Sequence, residues 1–247
     1  MIPANYPDQA AEELIALATN RFGDLNEAET KLLRAVVGGD IASCGPNQAI
    51  NNSPEDASKD EEWVPKCEVR ADRIYWLCTN LAAVEKVDSR GIKLFGALVT
   101  GTLDLSYVKV PFPLSLLHCC VPQEINLASA QLPALYLNGS RTGPIVGDGL
   151  TVKGGLFLRT GFIAQGEVRL LGARIGGNLD CSGGSFNNPP QKAGSADHRF
   201  CGPRLFGALM ERSNSCARVG GHSHAVDDRT AAFALFVGAR AGVFVVA

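Results

Sequence analysis

Hydrophobic residues up to about residue 90 follow the spacing of helices. In residues 8–20 they form one stripe of a predicted amphipathic helix, made of Ala11, Leu14, Ile15, Leu17 and Ala18. A second helix is predicted from Asn26, because an Asn three residues before Glu29 is typical of a capping box. Residues 67–78, CEVRADRIYWLC, predict a third helix whose inward side is formed by Val69, Ile74 and Leu77.

A polar segment interrupts these helices. Residues 38–63 are rich in Gly, Asn, Ser, Pro and acidic residues. Such a segment buries too little hydrophobic surface to offset the entropy of ordering it, so the sequence predicts a mobile loop there. Residues 1–90 are therefore predicted to form a helical N-terminal region that contains this loop.

From Gly91 the hydrophobic period changes. Hydrophobic or small residues now come in pairs separated by one residue, and successive pairs follow every five or six residues, as at 92/94, 97/99, 103/105, 119/121 and 179/181. Neither the helical period of 3.6 nor the strand period of 2 gives this pattern. It predicts a β-solenoid over 91–187, in which each short face points two side chains inward before the chain turns a corner. With four faces to a coil, each coil takes about 22 residues.

One phrase occurs twice in this region. FGALVTGTLDLS at 95–106 is repeated as LGARIGGNLDCS at 171–182, with glycine, aliphatic and polar residues in register. The repetition indicates two equivalent stretches of one stack of coils. The hydrophobic pairs fade only around GSRTGPIVGD at 139–148.

After Asn187 the pattern stops, and residues 188–247 predict an irregular or weakly ordered tail. Two explanations fit this change: an evolved cap over the last coil, or a truncated or frame-shifted end. The abrupt break favours the second.

Several of these stretches carry a family resemblance. GARIGGNLDCSGGSF at 172–186, GEVRLLGARIGG at 166–177 and WLC at 76–78 resemble bacterial pentapeptide-repeat-like proteins, many of which are labelled membrane-associated oxidoreductases. The resemblance covers residues 26–187 and implies a mainly β fold, a short right-handed pentapeptide-like β-solenoid with an α-helical N-terminal capping region. It also implies redox chemistry and membrane association, although no catalytic motif of that family maps onto a residue here.

Composition and charge narrow the possible functions. With 46% hydrophobic and 19% charged residues the chain can bury a core, and its net charge of −2 indicates neither a nucleic-acid-binding surface nor a strongly acidic mimic of DNA. The eight cysteines include no Cys-x-x-Cys pair, and no secretory leader is evident, so reduced thiols in the cytoplasm are expected. No apolar run of eighteen residues predicts a membrane-spanning helix; the segment 231–247 comes nearest, but it is short and contains Arg240.

Two motifs could suggest a cofactor or a metal. The glycines of GDGLTVKGG at 147–155 have the wrong spacing for a dinucleotide fingerprint and precede no predicted helix. His118, Cys119 and Cys120 are consecutive, so on a strand they point to opposite sides. Four further residues have suitable atoms but the spacing of no common zinc site, namely Cys201, Cys216, His222 and His224.

Charged residues provide two more candidates. Asp104 and Asp180 hold matched places in the repeated phrase and are expected to point outward and cap corners rather than act as an acid–base pair. Arg159, Arg169 and Arg174 could form a basic patch for phosphates or lipid head groups, although solvation of separate arginines is the simpler interpretation.

The sequence therefore favours a non-catalytic structural or interaction scaffold, with no catalytic, cofactor-binding or metal residues and no cofactor. The expected partner is an unidentified protein or a membrane surface, not nucleic acid, and the expected location is cytoplasmic or peripheral to a membrane. The alternatives are a membrane-associated oxidoreductase, as the resembling family is labelled, and a DNA-mimicking inhibitor, which the slight excess of basic residues in 91–187 disfavours.

Overall fold

Short parallel strands stack into the four sheets of a β-solenoid of about four turns. The computed structural model describes residues 6–45 and 67–187, together with the backbone of three strands at 205–209, 235–237 and 243–246. Helices lie only before the solenoid within these residues. The predicted fold class, a mainly β solenoid with a helical N-terminal region, is confirmed.

The solenoid visits the sheets in the order A, B, C, D, and its first coil contributes to sheet D only an isolated bridge at Lys109. Sheet A contains β1 (Ala42–Ser43), β3 (Ile92–Phe95), β6 (Leu114–Leu117), β10 (Leu135–Tyr136), β14 (Leu156–Phe157) and β18 (Leu179–Asp180). Sheet B contains β2 (Glu68–Arg70), β4 (Leu98–Thr100), β7 (Cys120–Val121), β11 (Arg141–Thr142), β15 (Ile163–Gln165) and β19 (Ser185–Asn187). Sheet C contains β5 (Leu103–Asp104), β8 (Ile125–Asn126), β12 (Ile145–Val146) and β16 (Val168–Arg169). Sheet D contains β9 (Gln131–Leu132), β13 (Thr151–Val152) and β17 (Ala173–Ile175).

Strand register gives the length of a coil. Leu114 lies beside Leu135 and Leu135 beside Leu156, two offsets of 21 residues. On sheet C the offset is 20 between Ile125 and Ile145 but 23 between Ile145 and Val168. The coil therefore varies around the predicted 22 residues.

The inward pairs form one continuous core. Both members of the pairs 92/94, 97/99, 103/105 and 119/121 are buried, whereas Cys181 of the pair 179/181 is partly exposed. The fading of the pattern at 139–148 is not a break in the solenoid, because β11 and β12 continue the stack there. In that coil the inward pair is polar: Ser140 and Thr142 are both almost completely buried.

Four helices precede the solenoid: α1 (Tyr6–Phe22), α2 (Glu27–Gly38), α3 (Ala71–Thr79) and α4 (Leu81–Val84). The predicted capping box is present, since Asn26 accepts from the Glu29 amide and its own amide donates to the Glu29 carboxylate. Leu14 and Ala18 are buried as predicted, but Leu17 is exposed.

Two short strands join the helical region to the solenoid. Glu68–Arg70, predicted as helix, is β2, which lies beside β4 in sheet B, while Val69, Ile74 and Leu77 are fully buried as expected. Ala42–Ser43, inside the segment predicted to be a loop, is β1, which lies beside β3 in sheet A. Residues 46–63 of that loop lie outside the described residues. The first rung of two sheets thus comes from the N-terminal region, where it covers strand edges.

The two copies of the repeated sequence do not stack on each other along the solenoid axis. FGALVTGTLDLS provides β4 and β5 of sheets B and C, whereas LGARIGGNLDCS provides β17 and β18 of sheets D and A. The two stretches share the local conformation of a corner and a face but lie on opposite sides of the solenoid. The expectation that they are equivalent is therefore right for the local repeat and wrong for position around the axis.

Within residues 188–247 the chain forms β20 (Leu205–Leu209), β21 (Leu235–Val237) and β22 (Val243–Val246). β20 pairs in parallel with β17, and β22 pairs antiparallel with both β20 and β21, which extends sheet D. The other residues of this predicted tail lie outside the described part of the chain.

Candidate interaction surfaces

The solenoid separates the three consecutive residues His118, Cys119 and Cys120. Cys119 points inward and is fully buried, with its thiol 3.3 Å from the Leu117 carbonyl oxygen. His118 lies at the corner with a φ of 51° and packs against the ring of Phe95. Cys120 lies in β7 of sheet B, beyond that corner, and the three side chains do not converge.

Burial suppresses the reactivity of the cysteines. Desolvation raises the pKa of Cys78, Cys119 and Cys181 to about 12 and that of Cys44 to about 11. Thiols that hold their protons this firmly are poor nucleophiles and poor metal ligands at neutral pH. No group of three His, Cys, Asp or Glu side chains suited to a metal occurs in the described residues, and Cys201, Cys216, His222 and His224 lie outside them.

Asp104 and Asp180 both turn outward and cap corners, each accepting from the backbone amide two residues later. They lie on sheets C and A, so they form no carboxylate pair. Burial raises the pKa of Asp180, but hydrogen bonds from Ser182 and the guanidinium of Arg159 outweigh it and hold the pKa below its usual value.

The three candidate arginines are also separated. Arg159 pairs with Asp180 at 3.0 Å and Arg169 with Asp148 at 2.5 Å, on sheets A and C. Arg174 lies on sheet D. They form no common patch. GDGLTVKGG likewise contains strand β13 at its centre and leads into β14, with no helix after it.

The outward side of sheet A carries an aromatic column. Register places five residues of the outward side in one line, Lys93, Ser115, Tyr136, Phe157 and Asp180, of which Ser115 is buried. The rings of Tyr136 and Phe157 stack at 4.8 Å with an interplanar angle of 6°. Phe95 and Leu117 form a second line beside them.

Charged groups frame this column. The Lys93 ammonium donates to the Gly39 carbonyl oxygen at 3.1 Å. At the other end the Arg159 guanidinium lies 5.1 Å from the centre of the Phe157 ring and also binds Asp180. The result is a partly exposed aromatic strip with polar ends.

The outward side of sheet D is basic from Lys109 to β17. Lys109, Gln131, Thr151 and Arg174 form one line, and exposed Lys153 lies two residues beyond Thr151. In the described part of the chain, Lys109, Lys153 and Arg174 make no ion pair, in contrast to Arg159 and Arg169.

Sequence reasoning missed both surfaces. Outward residues become neighbours only through strand register, and the coil length varies between 20 and 23 residues. The sequence signal that could have found them was the alternation within each pair, because the residue between two inward ones must face outward.

No protein-family model, curated protein or solved structure matches this chain. Among the residues that the structure describes, no helix has the length and hydrophobicity needed to cross a bilayer.

Proposed function

We propose that the protein is a non-catalytic interaction scaffold that binds a protein partner along sheet A. The observation that carries this proposal is the stacked, partly exposed pair Tyr136 and Phe157 on the outward side of a rigid sheet. Aromatic side chains held in place in this way bind partners at low entropic cost, because little conformational freedom is left to lose.

The dimensions of the strip indicate the kind of partner. Five positions separated by the strand spacing of about 4.8 Å span about 19 Å, which is the length of a helix of about 13 residues. The polar ends at Lys93 and at Arg159 with Asp180 suit a helix with a short apolar side and charged termini. A single amphipathic helix of another protein is the partner that this narrow strip fits.

The test compares capture of native-cell proteins by the full chain and by Tyr136→Thr/Phe157→Thr. Threonine keeps the strand conformation while removing both rings. The matched control, Asn126→Thr/Gln131→Thr, changes outward residues of sheets C and D. We expect a specific partner that is retained by the wild type and the control and lost by the sheet A variant; equal capture by all three would refute the proposal.

The oxidoreductase alternative predicts a different result. The purified protein would carry a chromophore or an extractable redox cofactor. Absorbance spectra and cofactor extraction of the full chain distinguish the two functions. A flavin or nicotinamide bound in stoichiometric amount would refute the scaffold and favour the oxidoreductase.

A further inference from the structure

One corner of the solenoid carries an exposed aromatic residue in an unfavourable backbone conformation. Between sheets C and D each coil has one residue in the left-handed region, and these residues are Tyr107, Ser129, Gly149 and Gly172, with φ values of 60°, 56°, 66° and 65°. Glycine adopts this conformation without penalty, whereas a residue with a Cβ does so at a cost. Tyr107 is nevertheless present, and 82% of its surface is exposed.

Burial therefore does not offset the strain at Tyr107. A bulky residue kept at a corner where glycine fits better, with its ring in solvent, indicates a contact outside the monomer. Leu171, 43% exposed, lies at the same corner at the other end of the solenoid, since its carbonyl accepts from the Gly149 amide of the preceding coil.

The adjoining sheet supplies the charge. Three exposed cations face outward from sheet D, and we call Lys109, Lys153 and Arg174 the basic strip. From Lys109 to Arg174 the line crosses three strand intervals, about 14 Å. The other residues of this line, Gln131 and Thr151, are uncharged. The acids Asp104, Glu124 and Glu167 belong to sheet C and the corner before it. One acid, Asp148, lies at the corner between sheets C and D, where its carboxylate accepts from the Leu171 amide and its charge is paired with Arg169.

We propose that the basic strip, with Tyr107 and Leu171 at its border, is a docking surface for an anionic lipid bilayer. Cations contact the phosphate and carboxylate groups of acidic lipids, while an aromatic and an aliphatic side chain enter the boundary between head groups and acyl chains. A nucleic acid fits this surface less well, because three cations are fewer than the roughly six to ten phosphate contacts that such binding commonly uses. The exposed aliphatic side chain of Leu171 would also have no favourable contact with a phosphate backbone. This inference concerns sheet D and does not rest on the proposed function of sheet A.

The experiment measures co-sedimentation of the full chain with vesicles of phosphatidylcholine containing about 30% phosphatidylserine, and with vesicles of phosphatidylcholine alone. Binding only to the anionic vesicles is expected, and it should weaken as the ionic strength rises from about 0.1 M to 1 M, where the screening length falls from about 10 to 3 Å. Equal binding to both vesicles, or none to either, overturns the proposal.

Two variants locate the contact. Lys109→Gln/Lys153→Gln/Arg174→Gln is expected to lose roughly 100-fold in affinity, since each cation near an anionic surface is worth about a factor of five. The control, Lys31→Gln/Arg34→Gln/Lys86→Gln, changes net charge equally but on cations that form ion pairs in the helical region. If both variants lose the same affinity, net charge rather than the basic strip is responsible and the proposal fails.

Tyr107→Gly separates binding from stability. Glycine relieves the left-handed strain, so the melting temperature should stay equal or rise while vesicle affinity falls several-fold. Unchanged vesicle affinity would exclude Tyr107 from the contact. A short single-stranded DNA serves as the competing polyanion; if the wild type binds it in preference to the anionic vesicles, the lipid proposal is wrong.

Discussion

At the residue scale, buried thiols make stability depend on alkaline pH. Burial raises the pKa of Cys78 and Cys119 to about 12 in the folded protein, whereas an unfolded thiol titrates near 9. The native state therefore holds these protons more tightly than the unfolded state does. Their contribution is fully present below pH 9 and is lost as the pH rises toward 12.

Urea unfolding at several pH values tests this dependence. Each such thiol should cost about 1 kcal/mol of unfolding free energy for each pH unit above 9. Because Lys and Tyr also titrate there, Cys119→Ala is the control: its stability should fall less steeply with pH than that of the wild type. Parallel slopes would contradict the assigned role of Cys119.

The polar inward pair allows a second residue-scale prediction. The Ser140 hydroxyl donates to the Leu116 carbonyl oxygen at 2.7 Å and accepts from the Cys119 amide at 2.9 Å. The buried Thr142 hydroxyl, in contrast, has no hydrogen-bond partner among the residues that the structure describes. Ser140→Ala should therefore destabilise the protein by about 1–3 kcal/mol, because it leaves two buried backbone groups unpaired.

Thr142→Val should instead be neutral or stabilising by about 1 kcal/mol, because it replaces an unpaired hydroxyl with a methyl group of the same shape. Chemical denaturation of the two variants side by side gives both values. Equal destabilisation would show that Thr142 has a hydrogen-bond partner in solution.

At the scale of elements, a buried carboxylate connects the N-terminal helices to the first rung of sheet B. Glu29 of α2 is 1% exposed and accepts two hydrogen bonds from the Arg70 guanidinium of β2, at 2.8 and 2.9 Å. Arg73 of α3 approaches the same carboxylate at 3.2 Å and lies over the ring of Phe22. Glu29 thus joins α2 to β2 and α3, and Arg73 extends the connection to α1 through Phe22.

Glu29→Gln tests this connection. The substitution removes the buried one of the two carboxylates that face Arg73, and only the exposed Asp72, 2.8 Å from the guanidinium, remains as its counter-ion. It also removes the charge that Arg70 binds, so a loss of about 1.5–3 kcal/mol is expected. Glu27→Gln, on the same helix but exposed and in an i,i+4 ion pair with Lys31, should cost less than 1 kcal/mol. Equal effects in thermal unfolding would show that the network adds nothing beyond a surface ion pair.

The pH dependence of this element has the opposite sign to that of the thiols. Burial raises the pKa of Glu29, but hydrogen bonds from Arg70 and the Asn26 amide, with the charge of Arg73, outweigh it and lower the pKa below 4.5. The contribution of Glu29 is therefore present above the unfolded pKa and is lost as the pH falls through the folded one. The Glu29→Gln variant should lose less stability than the wild type between pH 5 and pH 3, roughly.

Elements were predictable where one physical rule decided them. The inward pairs such as Leu103 with Leu105 follow from hydrophobic spacing, and α2 follows from its capping box. The prediction of helix at Glu68–Arg70 is wrong because three residues are too few to show a strand pattern. The helical spacing of Ala71–Thr79, which follows directly, therefore determined the prediction. The inward positions Ser140 and Thr142 could not be recognised from hydrophobicity, because both residues are polar. The surfaces on sheets A and D could not be predicted either, because the spacing of hydrophobic residues does not fix the length of each coil.

At the scale of the whole molecule, the helices and the solenoid share one core. A single cluster of buried side chains runs from Leu14 in α1 to Leu179 in β18, with Phe186 packed against it. β1 and β2 moreover belong to sheets A and B, so the N-terminal region provides rungs of the stack and not only a cover over it. Such continuity predicts that both parts unfold together, although repeat proteins can unfold by segments.

Two core truncations at opposite ends test this cooperativity. Leu33→Ala in α2 and Leu156→Ala in β14 each remove a side chain that is 2% exposed, at an expected cost of about 3 kcal/mol. If the core is one unit, calorimetry should show a single transition that both substitutions shift by similar amounts, and each should lower amide protection throughout residues 67–187 as well as in α1 and α2. The prediction fails if Leu33→Ala lowers amide protection in the helices while β14 and β15 keep the protection that they have in the wild type. The last coils would then hold their structure without the N-terminal region.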